Sequence, residues 1–208
     1  MIKLYNKKIG KLNKYFCSLT NTIFDSEGEV FIYLWLVELL NNNVIEWINE
    51  KPTQKEILSP VKRNIKIQLK TKSKIVNEHV ASSLKYTPDF IIKWKQKAYK
   101  LGLVVEFNSE IKKPYSYTLF STNGISILEC KPDGLNCKKA PDKNMTRLFI
   151  SKQKCIYNNT NEWINLIFHN QLFKNTFTPE RYIMQNKNTL RKRGIKYEIK
   201  IIKEFING

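Results

Sequence analysis

The chain has 208 residues, 42% of them hydrophobic and 12% aromatic, which is room for one packed domain with decorations and excludes a disordered or low-complexity protein. Its formal charge is +18, from 36 basic against 18 acidic residues. That excess is beyond what solubility needs and favours a polyanionic partner, nucleic acid first; the plain alternative is an ordinary basic protein from a lysine-rich coding background. The cysteines Cys17, Cys130, Cys137 and Cys155 form no C-x-x-C pair and only two histidines accompany them, so zinc is not expected. No signal peptide opens the sequence, which makes a cytoplasmic location with free thiols the expectation. The longest apolar run, Val30 to Val37, is too short to span a bilayer, so no membrane partner is expected.

Residues 1–23 read as a basic arm, with Lys3, Lys7, Lys8, Lys11 and Lys14 among Tyr5, Leu12 and Phe16. Ser26-Glu27-Gly28-Glu29 then fits a capping box and opens a helix that is apolar nearly all round, hence central, and ends at Asn41-Asn42-Asn43. Residues 44–60, punctuated by Pro52 and Pro60, read as irregular. Val61 to Lys70 alternates apolar and basic positions and predicts a half-exposed strand. A second strand covers about 84–94. Residues 95–125 are a long connection with two further strands, Leu103 to Phe107 and Tyr115 to Phe120, taken as an inserted β-hairpin. Asn123-Gly124 predicts a tight turn into a strand around Ser126 to Lys131. After a basic loop come a helix over Met145 to Tyr157 and a strand over Trp163 to Phe168. Residues 171–208 form a basic C-terminal extension whose densest cluster is Arg191-Lys192-Arg193. The expected fold is α/β (α+β): a mixed central β-sheet flanked by helices, in the order αβββαβ, with a core over 24–170.

Two acidic motifs carry the chemistry. Tyr86-Thr87-Pro88-Asp89-Phe90-Ile91-Ile92 and Ser126-Ile127-Leu128-Glu129-Cys130-Lys131 each place a carboxylate in an apolar run. Strand alternation puts Glu129 and Lys131 on one face and Leu128 and Cys130 on the other. Carboxylates in such strands are expensive to bury unless paired or bound to a cation, and two of them beside a lysine suit a Mg²⁺ site acting on a phosphodiester. Plainer readings stand beside this one. Asp89 can be a turn residue after proline, Glu129 and Lys131 a surface ion pair, and Glu29 the N3 residue of its cap.

With Pro88-Asp89 on one strand and Glu129-Cys130-Lys131 on the next, the order of elements resembles the PD-(D/E)XK nuclease superfamily. It is most similar to small phage endonucleases and phage-type Holliday junction resolvases. Phe24-Asp25-Ser26-Glu27-Gly28-Glu29 is similar to the opening helix of a phage endonuclease family and of the nuclease subunit of some transposases. The resemblance covers about 24–170 and implies a metal-dependent endodeoxyribonuclease with Mg²⁺, or Mn²⁺ as substitute. It implies Asp89, Glu129, Glu29 and the Cys130 carbonyl as metal ligands, with Glu27 the alternative to Glu29, and Lys131 as the lysine that orients or deprotonates the attacking water. The Asp89–Glu129 gap is long for this family, and Pro132 follows the lysine where related enzymes often have glycine.

Lys152, Lys154 and Arg147 on the second helix, with Arg191, Lys192 and Arg193 in the tail, are candidate phosphate contacts or a solvated basic face. Trp94 and Tyr99 can stack on bases or pack. His79 and His169 show no catalytic pattern of their own; the resemblance places Gln54, in Pro52-Thr53-Gln54-Lys55, where related enzymes often carry a polar residue near the site. The sequence has no helix-turn-helix or zinc finger, so recognition of DNA shape, duplex or branched, is expected rather than of a long sequence. The alternatives are a catalytically silent DNA-binding or virion-associated structural protein on the same fold, or a nuclease subunit active only with a transposase-type partner. A homodimer would favour the resolvase type.

Overall fold

The computed structural model describes residues 5–9, 12–17, 21–108, 110–131, 143–184 and 198–208. The chain is mixed α+β. Its N-terminal arm is an ordered antiparallel meander of β1 (Tyr5–Ile9), β2 (Leu12–Cys17) and β3 (Thr22–Phe24). Cys17 and Phe24 are buried, and the Phe24 ring lies 5.3 Å from Tyr33 and 6.0 Å from Phe90.

Helix α1 (Glu27–Asn41) starts where its cap requires: Ser26 is extended and its hydroxyl accepts from the Glu29 N–H. Eight of its residues between Val30 and Leu39 are buried, so the near-continuous apolar run does mark a central helix. Asn43 adopts φ +61°, and the N–H groups of Asn42 and Val44 return to the carbonyls of Glu38 and Leu39, closing the helix.

The stretch expected to be irregular contains two strands, β4 (Ile45–Asn49) and β5 (Lys55–Leu58). The strongly alternating segment is β6 (Val61–Gln68), and it lies outside the main sheet. It pairs only with β7 (Ser73–Ala81) in a long antiparallel hairpin whose residues are nearly all exposed. Alternation reports two unlike faces and does not require that either be buried. The chain returns through β8 (Leu84–Tyr86), which pairs with β5, so 55–86 is one antiparallel ribbon with a break between its lower and upper halves.

The central sheet has four strands in the order β13-β12-β9-β4, where β9 is Phe90–Trp94, β12 Ile125–Cys130 and β13 Ile164–Ile167. The pairs β4–β9 and β9–β12 are antiparallel; β13 runs parallel to β12 after the crossover helix α3 (Lys143–Thr160). Burial on both sides follows the alternation of β12. Leu128 and Cys130 join the α1 core, and Ile127 joins a second cluster with Phe149 and Ile156 of α3.

Residues 95–125 form helix α2 (Gln96–Lys100) and strands β10 (Val104–Glu106) and β11 (Leu119–Ser121). The expected inserted hairpin is corrected here: β10 and β11 are parallel, because the connection between them is long enough for a crossover. Buried Asn165 on β13 fastens this unit to the sheet. Its carboxamide accepts from Phe120 N and donates to Phe120 O, both at 2.8 Å, and to Ile127 O at 3.2 Å. Asn123 and Gly124, at φ +53° and +72°, make the tight turn into β12.

Helix α4 (His169–Asn175), a helical stretch at 180–184 and helix α5 (Ile202–Asn207) follow. The described part of the C-terminal extension belongs to the core: Phe177 stacks on Trp35 at 5.6 Å, Trp35 Nε1 donates to Thr176 Oγ1, and Tyr182 and Ile202 are buried. No described helix is long and apolar enough to cross a membrane.

Candidate active site

Asp89 sits at a bend just before β9, one residue short of the strand expected to carry it. The bend is stitched to β12 twice. Asp89 N donates to Leu128 O at 3.2 Å, and its Oδ2 accepts from Cys130 N at 2.6 Å. The carboxylate thus takes the place of a ladder carbonyl and is fixed beside Glu129.

Glu129 projects from the face of β12 opposite Leu128 and Cys130, as alternation requires. Its Oε1 accepts from Lys131 Nζ at 2.6 Å, and its Oε2 from the Tyr86 hydroxyl at 2.9 Å. The Glu129 side chain is 14% exposed and that of Lys131 30%. This is a sheltered pair with a third partner, unlike an open surface ion pair. Lys131 lies just past β12, and its N–H continues the ladder to Ile167 O.

Glu29 reaches the same neighbourhood from α1. Its two oxygens serve the cap: Oε1 accepts from the Ser26 hydroxyl at 2.8 Å and Oε2 from Asp25 N at 3.1 Å. Its carboxyl is nevertheless pushed above the usual range, first by burial, with the charges of Asp25 and Glu129 adding and the cap bonds opposing. The cap reading and proximity to the site therefore both hold for Glu29. Glu27 is exposed on the first turn of α1.

The electrostatics of Asp89 report crowding. Burial first, and then the charge of Glu129, raise its carboxyl to about 7; the charge of Glu29 adds, while the Cys130 N–H and Lys131 oppose. The Cys130 thiol is driven well up by burial and by the same carboxylates, and the Tyr86 hydroxyl is also raised, by burial and by Glu129. Three carboxylates and one ammonium share a half-buried volume.

Hard oxygen donors under mutual repulsion are the chemistry a divalent cation would relieve. Among the described residues no group of three or more His, Cys, Asp or Glu is set to coordinate a metal, and the oxygens of Glu129 and Glu29 and one of Asp89 are engaged by internal donors. Asp89, Glu129 and Glu29 fit a metal in donor type and charge, on condition that Glu129 and Glu29 exchange partners.

Tyr86 escaped the sequence reading. It is buried, anchors the root of the ribbon at β8 and holds Glu129. Its only signal was its place three residues before Asp89. Trp94 is buried and donates to Ser126 Oγ at 2.8 Å, and Tyr99 donates to Glu106 at 2.5 Å, so both pack rather than stack on bases. Gln54 contacts Thr87 Oγ1 at 3.4 Å. The His169 ring packs on Phe31, and His79 is exposed on the hairpin. Lys152 and Lys154 are exposed on α3. The side chain of Arg147, and all of Arg191, Lys192 and Arg193, lie outside the described residues, as does Cys137. A cleft of about 290 Å³ lined by Tyr117, Trp163, Asn165 and Gln171, among others, includes none of the carboxylates. No protein-family model, no curated protein and no solved structure matches the chain.

Proposed function

We propose that the chain is a divalent-metal-dependent endodeoxyribonuclease of the PD-(D/E)XK type, selective for DNA shape such as a branch. One observation carries the reading: Asp89, Glu129 and Lys131 converge at adjacent strands, with the Asp89 carboxyl raised to about 7 by burial and by Glu129. The order α1, three antiparallel strands, α3 and a parallel strand supports the same assignment. So does the +18 charge, which supplies sequence-independent affinity for a phosphate backbone.

Asp89 and Glu129, with Glu29 alongside, would hold Mg²⁺, which when bound supplies Lewis acidity at a phosphate oxygen and a more acidic water. Lys131, now on Glu129, is the group that orients the nucleophilic water or accepts its proton. Tyr86 fixes the second oxygen of Glu129 and so sets the direction of the first. The bend at Asp89 holds that carboxylate against β12 whatever the state of the ribbon.

The test is cleavage of labelled duplex, single-stranded and four-way-junction DNA in Mg²⁺ or EDTA, with Asp89→Asn and Lys131→Ala alongside. Mg²⁺-dependent cutting that falls by at least ~100-fold in both variants is expected. The inward pairing of Glu129 favours a second reading, a DNA-binding protein without catalysis. Salt-sensitive binding with no cutting of any substrate would establish that reading instead.

A further inference from the structure

The ribbon above the site has two different faces. Residues directly opposed in an antiparallel pair share a face. On one face Arg63 and Glu78 make a cross-strand ion pair at 2.6 Å, and Ile65 opposes Val76, both half-buried. These contacts hold the ribbon together, as an isolated hairpin requires. The other face presents Lys62 opposite His79, Asn64 opposite Asn77, Lys66 opposite Ile75, and Gln68 opposite Ser73. All eight residues are exposed, Ile75 at 69%. Among the described residues the side chains of Lys62, Asn64, Lys66, Asn77 and His79 make no hydrogen bond or ion pair, so this face spends almost nothing on the fold.

We infer that this face of the β6–β7 hairpin is a reading surface for the major groove of duplex DNA. The charge is complementary: Lys62 and Lys66 lie on this face and Lys70 and Lys72 at the tip, with no acidic residue among them, since Glu78 is on the other face with Arg63. The turn, closed by Leu69 N to Lys72 O at 2.8 Å, concentrates lysines at the tip. The shape is complementary, because the major groove of B-DNA, about 12 Å wide, admits a two-stranded ribbon. The side chains are the types that read base edges there: carboxamides pair bidentately with adenine, lysines reach guanine, and an exposed aliphatic residue meets the thymine methyl.

Spacing sets the size of the site. Lys62 to Gln68 spans six residue steps, about 20 Å, or about six base pairs at ~3.4 Å each. Same-face side chains recur every ~6.6 Å, so the contacts fall on alternate base pairs. The hairpin is carried by β5 and β8, and Tyr86 of β8 is bonded to Glu129, so the ribbon joins this face to the candidate site through the chain. The inference rests on the nucleic-acid part of the proposed function and adds a short sequence preference to it, independent of cleavage.

The experiment is selection from a randomised 20-base-pair duplex pool by the full chain in EDTA, followed by binding isotherms over a salt series on the selected and scrambled duplexes. Asn64→Ala/Asn77→Ala and Lys62→Ala/Lys66→Ala are compared with wild type. All four positions are exposed, and unchanged melting temperatures control for folding. A selected motif of about six base pairs is expected. The asparagine pair should lower the selected-to-scrambled ratio by roughly tenfold or more while leaving the salt slope alone. The lysine pair should weaken both duplexes and reduce the salt slope by about two. Variants that bind and discriminate as wild type does would overturn the inference, as would a pool that returns no motif, or tighter binding of single strands or duplex RNA. The same duplexes are incubated with Mg²⁺. A four-way junction carrying the motif is incubated alongside. Hairpin-dependent duplex binding with no cutting of duplex or junction removes the nuclease reading and keeps this one; cutting of either substrate with hairpin-independent binding, or with no duplex binding, does the reverse.

Discussion

Replacing Asp89 by asparagine should make the metal-free protein more stable while abolishing the proposed cleavage. The Asp89 carboxyl holds its proton up to about pH 7 in the folded state, against an ordinary value of 3.8. The folded state is therefore the more protonated one between those values, and stability falls as pH rises from about 4 through about 7. Its contribution is fully present only below pH 4. A shift of about three units corresponds to about 4 kcal/mol at ~1.4 kcal/mol per unit. Partial exposure and the shared charge with Glu129 reduce this to about 2–3 kcal/mol. Asparagine stays neutral at every pH, and its carbonyl can still accept from Cys130 N. In urea unfolding with EDTA at pH 8, Asp89→Asn should exceed wild type by about 2–3 kcal/mol, or about 4–12 °C in Tm for a chain of this size. At pH 4 the two should nearly coincide. Adding Mg²⁺ at about a hundred times its dissociation constant should restore about 2.7 kcal/mol to wild type and little to the variant. A variant less stable than wild type at pH 8, or one with the same pH slope, would refute the argument that repulsion and burial at Asp89 are held in reserve for a cation.

Two further outcomes follow from single contacts. Tyr86→Phe removes the hydroxyl that donates to Glu129 Oε2. It should cost about 1–3 kcal/mol in urea unfolding and lower the rate of Mg²⁺-dependent cleavage, with DNA affinity in EDTA unchanged. Glu38 has a carboxyl raised to about 7, chiefly by burial, with Oε1 accepting from Glu180 N and Oε2 buried with no hydrogen-bond partner among the described residues. By the same linkage its ionisation destabilises the fold as pH rises through about 7, so Glu38→Gln should gain stability at pH 8 and not at pH 4. The gain should be smaller than at Asp89, because solvent screens this more open position.

The sequence made local chemistry legible and long-range partnership less so. The cap at Ser26, the turn at Asn123-Gly124 and the same-face pair Glu129–Lys131 depend on neighbours within four residues, and each is found where the residues put it. The main-sheet strand β4 was hidden because Ile45–Asn49 is a short edge strand between an asparagine run and Pro52, with Trp47 39% exposed. The cleaner alternation of Val61–Gln68 belongs to a ribbon wet on both sides. Parallel pairing of β10 with β11 could not be read from strand propensity, since propensity is silent on direction. Tyr86 was invisible as a site residue because its partner lies 43 positions away.

The carboxamide of Asn165 has a consequence for how the molecule comes apart. It satisfies both backbone groups of Phe120 while also bonding Ile127 on the strand that bears Glu129. Freeing the inserted unit would break both Asn165–Phe120 hydrogen bonds at a site where Asn165 is 3% exposed, at about 1 kcal/mol apiece, and more if the carboxamide oxygen stays buried without a donor. The insertion and the central sheet therefore open as one cooperative unit. The Phe120 amide proton should exchange with solvent on the timescale of β12 and later than the exposed hairpin, although residues 95–125 read in the sequence as an appendage.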